Sequence, residues 1–161
     1  MPSSFQLALA TLATLFVASC SQTVADQACT EIGCQNGLRL TWAQGPWKPG
    51  AYTIEATPDG SKVTCEGKLP LAACDSGPSF HCSPSAPLRL GESGCALPQA
   101  QHGLAGIDID TAPAQVRIVV RRDGAEVGSQ DLAPKYTDSR PNGPQCETVC
   151  HQASAELPLP Q

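Results

Sequence analysis

The residues of this chain whose types could do chemistry are three histidines (His81, His102 and His151), two neighbouring acids (Asp108 and Asp110) and the pair Cys146 and Cys150. Cys146, Cys150 and His151, or His81 with Cys82, offer thiolate and imidazole ligands for zinc. Zinc sites of that kind join two Cys-x2-4-Cys units, and Cys146-x3-Cys150 stands alone. Asp108 and Asp110 carry the oxygens of a calcium site or of a glycosidase pair. A calcium loop needs further oxygens at fixed spacings and a glycine, and a glycosidase needs its carboxylates across a cleft. Two apart on a strand whose inward residues are Ile107 and Ile109, these acids read as a solvated face. Arg117, Arg121 and Arg122 read the same way, with Asp123, Glu126 and Asp131 within reach. Gly91-Glu92-Ser93-Gly94 lacks the closing glycine of Gly-x-Ser-x-Gly because Cys95 stands there, and no Gly-rich phosphate loop occurs. Trp42, Trp47 and Tyr52 would make a carbohydrate or peptide platform if exposed; at or beside strand positions they read as core. No catalytic residue, no metal and no cofactor is therefore expected.

The elements that carry these residues are strands. Leu38-Arg39-Leu40-Thr41-Trp42 alternates apolar and polar with period two, the mark of a half-buried strand. Tyr52 to Ala56 and Lys62 to Cys65 alternate about Asp59-Gly60, a two-residue hairpin signal because both turn positions favour positive φ. That register sets Ala56 against Val63, Ile54 against Cys65 and Glu55 against Thr64, so Cys65 points inward. Residues 70–103 look irregular, with only Leu88-Arg89-Leu90 suggesting a short strand. Alternation returns at Ile107-Asp108-Ile109-Asp110. It is strongest over Gln115 to Arg122, where Val116, Ile118 and Val120 share one face and Arg117, Val119 and Arg121 the other. Asp123-Gly124 is a second hairpin turn, placing Val120 against Val127 and Arg121 against Glu126. About seven short strands with no amphipathic helix predict an all-β fold, an antiparallel immunoglobulin-like sandwich. A transthyretin-like strand order fits equally. Residues 152–161, ending Leu157-Pro158-Leu159-Pro160, read as a disordered Pro-rich tail.

Leu7 to Val17 is apolar but, at about 11 residues, too short for the ~20 that span a bilayer, and it has the length of a signal-peptide hydrophobic region. No Lys or Arg precedes it. Val17-Ala18-Ser19-Cys20 resembles a bacterial lipobox, which implies a signal peptide over 1–19 and lipid attachment at Cys20. The competing reading is ordinary secretion with cleavage near Ala25, after Thr23-Val24. One acyl chain holds a protein only marginally; the two or three chains that this resemblance implies would anchor it to the membrane. Ser21 is similar to the second mature residue of Gram-negative lipoproteins sorted to the outer membrane. Residues 20–28 then form a lipidated tether that would average about 15–17 Å as a flexible coil, and residues 29–151 the domain.

The chain contains nine cysteines, an odd number that would flag a free thiol in an exported protein. With Cys20 given to lipid, Cys29, Cys34, Cys65, Cys74, Cys82, Cys95, Cys146 and Cys150 form an even set, and export makes disulfides their default. Cys74 and Cys82 bracket a Gly/Pro/Ser segment and suit a local bridge, which leaves Cys95 for the inward Cys65. Cys29 and Cys34 precede the first strand, while Cys146 and Cys150 follow the last one read here. Bridges between these two pairs would clamp the chain ends, and local bridges within each pair are the alternative. Few aromatic residues are present to fill a core, so covalent ties carry more of the stability.

Pro134 to His151, together with Trp47-Lys48-Pro49-Gly50-Ala51-Tyr52 and Arg122-Asp123-Gly124, resembles a group of uncharacterised lipoproteins from GC-rich, myxobacterial-type genomes. The shared residues are turns, core aromatics and cysteines, so the resemblance implies a fold and an address and carries no catalytic residue. The net charge of −5 provides no basic footprint for nucleic acid. The expected partners are the membrane, through lipid at Cys20, and an envelope protein or glycan as ligand. The function these readings support is a lipid-anchored envelope protein that binds or contributes structure without catalysis. The alternatives are a metal-dependent envelope hydrolase using His81, His102 or His151, and a Cys-rich protease inhibitor presenting the Pro-rich 75–87 segment.

Overall fold

A computed structural model describes residues 29, 33–83 and 87–161. The signal segment 1–19, the lipidation candidate Cys20 and the tether 21–28 lie outside the described residues. Ten strands occur among the described residues: β1 (Gly37–Trp42), β2 (Gly50–Pro58), β3 (Val63–Leu69), β4 (Phe80–Cys82), β5 (Leu88–Ser93), β6 (Gly103–Ile109), β7 (Val116–Arg122), β8 (Ala125–Leu132), β9 (Thr137–Ser139) and β10 (Cys150–Leu157). They form a β-sandwich of two five-stranded sheets. The first has the order β5-β6-β1-β10-β9 and the second β4-β3-β2-β7-β8.

The alternation in the sequence builds one core between the sheets. Leu38, Leu40 and Trp42 of β1, Ile107 and Ile109 of β6, and Leu157 of β10 face Ile54, Ala56, Val63, Cys65, Val116, Ile118 and Val120 of the second sheet, all buried. Full burial of each large aliphatic side chain contributes about 1.5–3 kcal/mol. The aromatic residues join this core at one end. Trp47 lies with its ring centroid 5.6 Å from Trp42 and 5.5 Å from Tyr52, and the Tyr52 hydroxyl donates to the Lys48 carbonyl at 2.7 Å. Gly103 is what lets Trp47 in, since a methyl group there would stand 2.4 Å from the indole Cδ1.

Both hairpins form at Asp-Gly. Asp59 and Gly60 have φ of 45° and 84°, and Asp123 and Gly124 have 51° and 83°, the positive values that match the turn to the twist of its strands. Around the first turn Ala56 opposes Val63, Ile54 opposes Cys65 and Glu55 opposes Thr64. Around the second, Arg121 opposes Glu126, but a bulge between Val120 and Arg121 shifts the ladder so that Val120 opposes Gly128. The Val120 to Val127 pairing expected from the sequence is therefore replaced, because a bulge adds one residue to one strand.

Three strands exceed the seven expected: β4 and β9, of three residues each, and β10. Residues 152–161 are not a disordered tail. From Cys150 to Leu157 the chain is a strand, paired in parallel with β1 so that Leu38 meets Ala153 and Trp42 meets Leu157. Its inward positions are small (Ala153, Ala155) until Leu157, so its apolar signal is weak although Ala153 and Leu157 are buried. The domain consequently runs past residue 151, and the sandwich is antiparallel except for this one pair.

Four disulfides join the eight cysteines from Cys29 to Cys150. Cys29–Cys146 and Cys34–Cys150 close loops with sequence separations of 117 and 116, so the ends of the chain are clamped together. The expected Cys74–Cys82 and Cys65–Cys95 bridges are exchanged for Cys65–Cys82 and Cys74–Cys95. The cause is β4: Phe80–Cys82 pairs with β3 and sets Cys82 directly opposite Cys65, leaving Cys74 to Cys95. Such a covalent framework belongs to an oxidising, extracellular or periplasmic environment.

Candidate functional site

The outward residues of the first sheet make a polar groove. Along β1 the side chains of Arg39 and Thr41 alternate outward with buried Leu38 and Leu40. Cross-strand register then sets Arg89 of β5, Asp108 of β6, Arg39 of β1 and Ser154 of β10 in one row. Arg39 Nε donates to Asp108 at 2.8 Å and Arg89 Nη2 to Asp110 at 2.7 Å, so the two acids are the partners of two arginines on one solvated face. Arg39 also donates through Nη2 to Gln35 at 2.9 Å.

Cys34, Gln35 and Asn36 line the groove at the clamped end of the sheet, and Lys135, Thr137 and Gln152 complete it around a volume of about 700 Å³. Among the described residues Lys135 forms no ion pair. The groove thus has three cations against two carboxylates, an excess of positive charge on a protein of net charge −5. Its hydroxyls, those of Thr137 and Ser154, donate to no histidine or carboxylate among the described residues. Amides, hydroxyls and forked guanidinium groups of this kind recognise hydroxyl-rich or carboxylate-bearing ligands.

The histidines lie on three different elements. His81 is exposed on β4, opposite Glu66. His102 is buried where a short turn enters β6, its Nε2 2.9 Å from the Leu97 carbonyl. His151 is the second residue of β10, with Nδ1 2.6 Å from Asp138 and its ring stacked on Tyr136 at 4.9 Å. Cys82, Cys146 and Cys150 are consumed in disulfides, so the zinc combinations considered from the sequence lose their thiolates. Among the described residues no three His, Cys, Asp or Glu side chains gather in a metal-binding cluster. The 75–87 segment is not one presented loop, since Phe80–Cys82 is hydrogen-bonded into the second sheet, and residues 84–86 lie outside the described residues. Trp42 and Tyr52 are buried and Trp47 packs on them, so they form core and no exposed platform.

Besides Arg121, whose guanidinium is held charged still more firmly by its hydrogen bond to Glu55, two groups have displaced titrations. The Lys62 ammonium at 2.6 Å, and after it the Arg121 guanidinium at 2.8 Å, hold the Glu55 carboxyl below the usual carboxylate range. Burial, with a smaller push from Asp59, raises the Tyr136 phenol above its ordinary value. Both groups brace the scaffold: Tyr136 donates its hydroxyl to the Pro113 carbonyl at 3.0 Å and so ties the start of β9 to the β6–β7 connection.

Sequence reasoning placed Arg39 and Asp108 outward but did not bring them together, because the β1–β6 pairing joins segments with no turn between them. Lys135, Gln152 and Ser154 it missed entirely. Outward alternation at Gln152 and Ser154, either side of inward Ala153, was the signal available.

No helix of the described residues is long and apolar enough to cross a membrane. Comparison of the chain with known protein families, with curated proteins and with solved structures found no match. The functional reading rests on the geometry above.

Proposed function

We propose that this chain is an exported lipoprotein, anchored to the outer membrane through Cys20, whose sandwich acts by binding and not by catalysis. The observation that carries the reading is the pairing of all eight cysteines from Cys29 to Cys150 with one another. Of nine cysteines, the one outside that set ends a lipobox-like run. The Cys29–Cys146 bridge fixes where the tether meets the domain, and nine residues from Cys20 span at most about 30 Å. The domain is then held near the bilayer with its clamped end, and the Arg39–Asp108 groove beside it, on the membrane side. The ligand class that fits the groove is an envelope glycan carrying carboxylate or phosphate groups.

Globomycin treatment tests the anchor. Accumulation of precursor, with Cys20→Ser released from the membrane fraction, is the expected result; a mature protein insensitive to the drug would overturn it. For the groove, purified peptidoglycan fragments and lipopolysaccharide core saccharides are the probes. Arg39→Ala with Lys135→Ala should weaken binding at least about tenfold, the loss of two charged hydrogen-bond donors. Absence of binding to either saccharide by the unaltered protein would remove the glycan reading.

A further inference from the structure

Beyond Leu157 the chain crosses from the first sheet to the second. Ala43 N–H donates to the Leu157 carbonyl at 2.7 Å, and the last residue, Gln161, donates its N–H to the Val127 carbonyl of β8 at 3.1 Å. Between these two hydrogen bonds the segment lies in a fitted channel of small residues. A methyl group on Gly45 would stand 2.5 Å from Leu159 Cδ2, and one on Gly128 would stand 3.7 Å from Pro160 Cα. β8 is the edge strand of its sheet, so residues 158–161 sit on an edge that would otherwise offer its backbone to another extended chain.

Beneath this strap is a cavity of about 20 Å³ lined by Trp42, Ile118, Val120, Gly128, Gln130 and Pro160. Two buried polar atoms on residues of that lining have no partner: the indole N–H of Trp42, a residue only 6 % exposed, and Oε1 of Gln130. An unpaired buried donor or acceptor costs about 1–3 kcal/mol. Pro158 and Pro160, which line the same cavity as Gln130, have no N–H to donate to it.

We infer that the slot between Trp42 and the edge of β8 is a peptide-binding site which the chain's own residues 158–161 occupy in cis. Its ligand in trans is an extended, apolar peptide segment of a partner protein that adds to the β8 edge and keeps an N–H where the strap has Pro160. Strand addition of this kind draws affinity from main-chain hydrogen bonds and specificity from alternate side chains. Here a leucine seated on Gly45 supplies the anchor, and the Trp42 and Gln130 side chains supply the polar contacts. Exchange of straps between two copies is disfavoured by length, because four residues reach at most about 14 Å and β10, from which the strap departs, is held between β1 and β9. The site lies at the Leu157 end of β10, opposite the end that carries the Cys34–Cys150 bridge, and does not depend on the anchor or on the groove.

The test uses the full mature chain, unaltered and with the strap loosened by Leu159→Asp or, separately, by removal of residues 158–161, changes that leave Gly45, Trp42 and the β8 edge intact. The probes are a peptide copying residues 156–161 and the same peptide carrying Pro160→Ala. Because a docked strap lowers apparent affinity by the fraction of molecules in which it is released, either loosened chain should bind about tenfold more tightly than the unaltered one. The Pro160→Ala peptide should bind more tightly than the copy and shift the Trp42 indole N–H resonance, assigned with Trp42→Phe. Four intact disulfides and an unchanged circular-dichroism spectrum qualify each variant; should one fail this check, the other decides. Three results would overturn the inference: no binding of either peptide by any folded chain, an indole resonance that only water exchange perturbs, or dimerisation of the loosened chains that peptide does not reverse.

Discussion

The two sheets have five strands each and share one core, yet they are held by different means. In the second sheet β2–β3 and β7–β8 are hairpins closed by Asp59-Gly60 and Asp123-Gly124, and the aspartates do more than turn. Asp59 accepts from the N–H of Gln115 at 3.0 Å, and Asp123 accepts from Ala51 at 2.9 Å, tying each turn to a neighbouring segment. In the first sheet the central pair, β1 with β10, joins opposite ends of the chain, and both long disulfides stand at that join. Loop-closure entropy grows with the logarithm of loop length, so the covalent ties with the longest loops stand where pairing is most expensive. The lesson is a division of labour at the two extremes of loop length: turn chemistry closes the tightest pairs and the two long disulfides close the most distant one. Between them, Cys65–Cys82 ties the three-residue β4 to its neighbour.

The strongest way to break this contrast is to remove the clamp. With one end bridge in place, the other closes a ring of only about a dozen residues, so replacing either pair by alanine should cost about 3 kcal/mol. Replacing both pairs also forfeits the 117-residue loop, and the total should reach about 7–8 kcal/mol in the chain-entropy model. Urea unfolding reads the first number. Hydrogen exchange of the four-alanine variant should show β1 and β10 amides losing protection before those of β2 and β3; simultaneous loss would count against two separately held sheets.

Next in size is Leu157→Ala. Leu157 is 2 % exposed, and large-to-small changes at such sites cost about 2–5 kcal/mol; a loss under about 0.5 kcal/mol would place the segment outside the core. Within the second sheet, Gly60→Val at φ 84° should cost about 1–2 kcal/mol from left-handed backbone strain alone, since nothing stands within 4 Å of an added Cβ. Gly60→Asn should recover most of it, and equal losses for the two would show that backbone conformation is not the cause.

The smallest effect is a pH dependence. Glu55 has its folded pKa lowered by Lys62 and then Arg121, so its contribution is present above the ordinary carboxylate value, about 4.3, and is lost as pH falls through the lower folded value. The stability difference between the parent and Glu55→Gln should accordingly be constant from pH 7 to 5 and shrink below about pH 4. A difference that grows on acidification would reverse the assigned sign.

Legibility followed the same division. The hairpins could be read to the residue because Asp-Gly between alternating runs fixes register locally, and the one failure, Val120 against Gly128, came from a bulge that no turn signal announces. The Cys65–Cys82 bridge was misread because Phe80-His81-Cys82 is a strand too short to show a period and flanked by Pro78 and Pro84. β10 was hidden by alanines at its inward positions and by the prolines that follow. The groove was half visible: outward Arg39 and Asp108 follow from alternation, whereas their meeting depends on β1 lying beside β6, a long-range choice made by the whole core.

The parallel pairing of β1 with β10 also dictates when this molecule can be finished. Its innermost strand, β1, has a vacant flank until residues 150–157 are available to pair with it, so the first sheet cannot be completed from the segments that precede them. Until then the sandwich is half built, with one sheet open along the flank of β1 that β10 will cover.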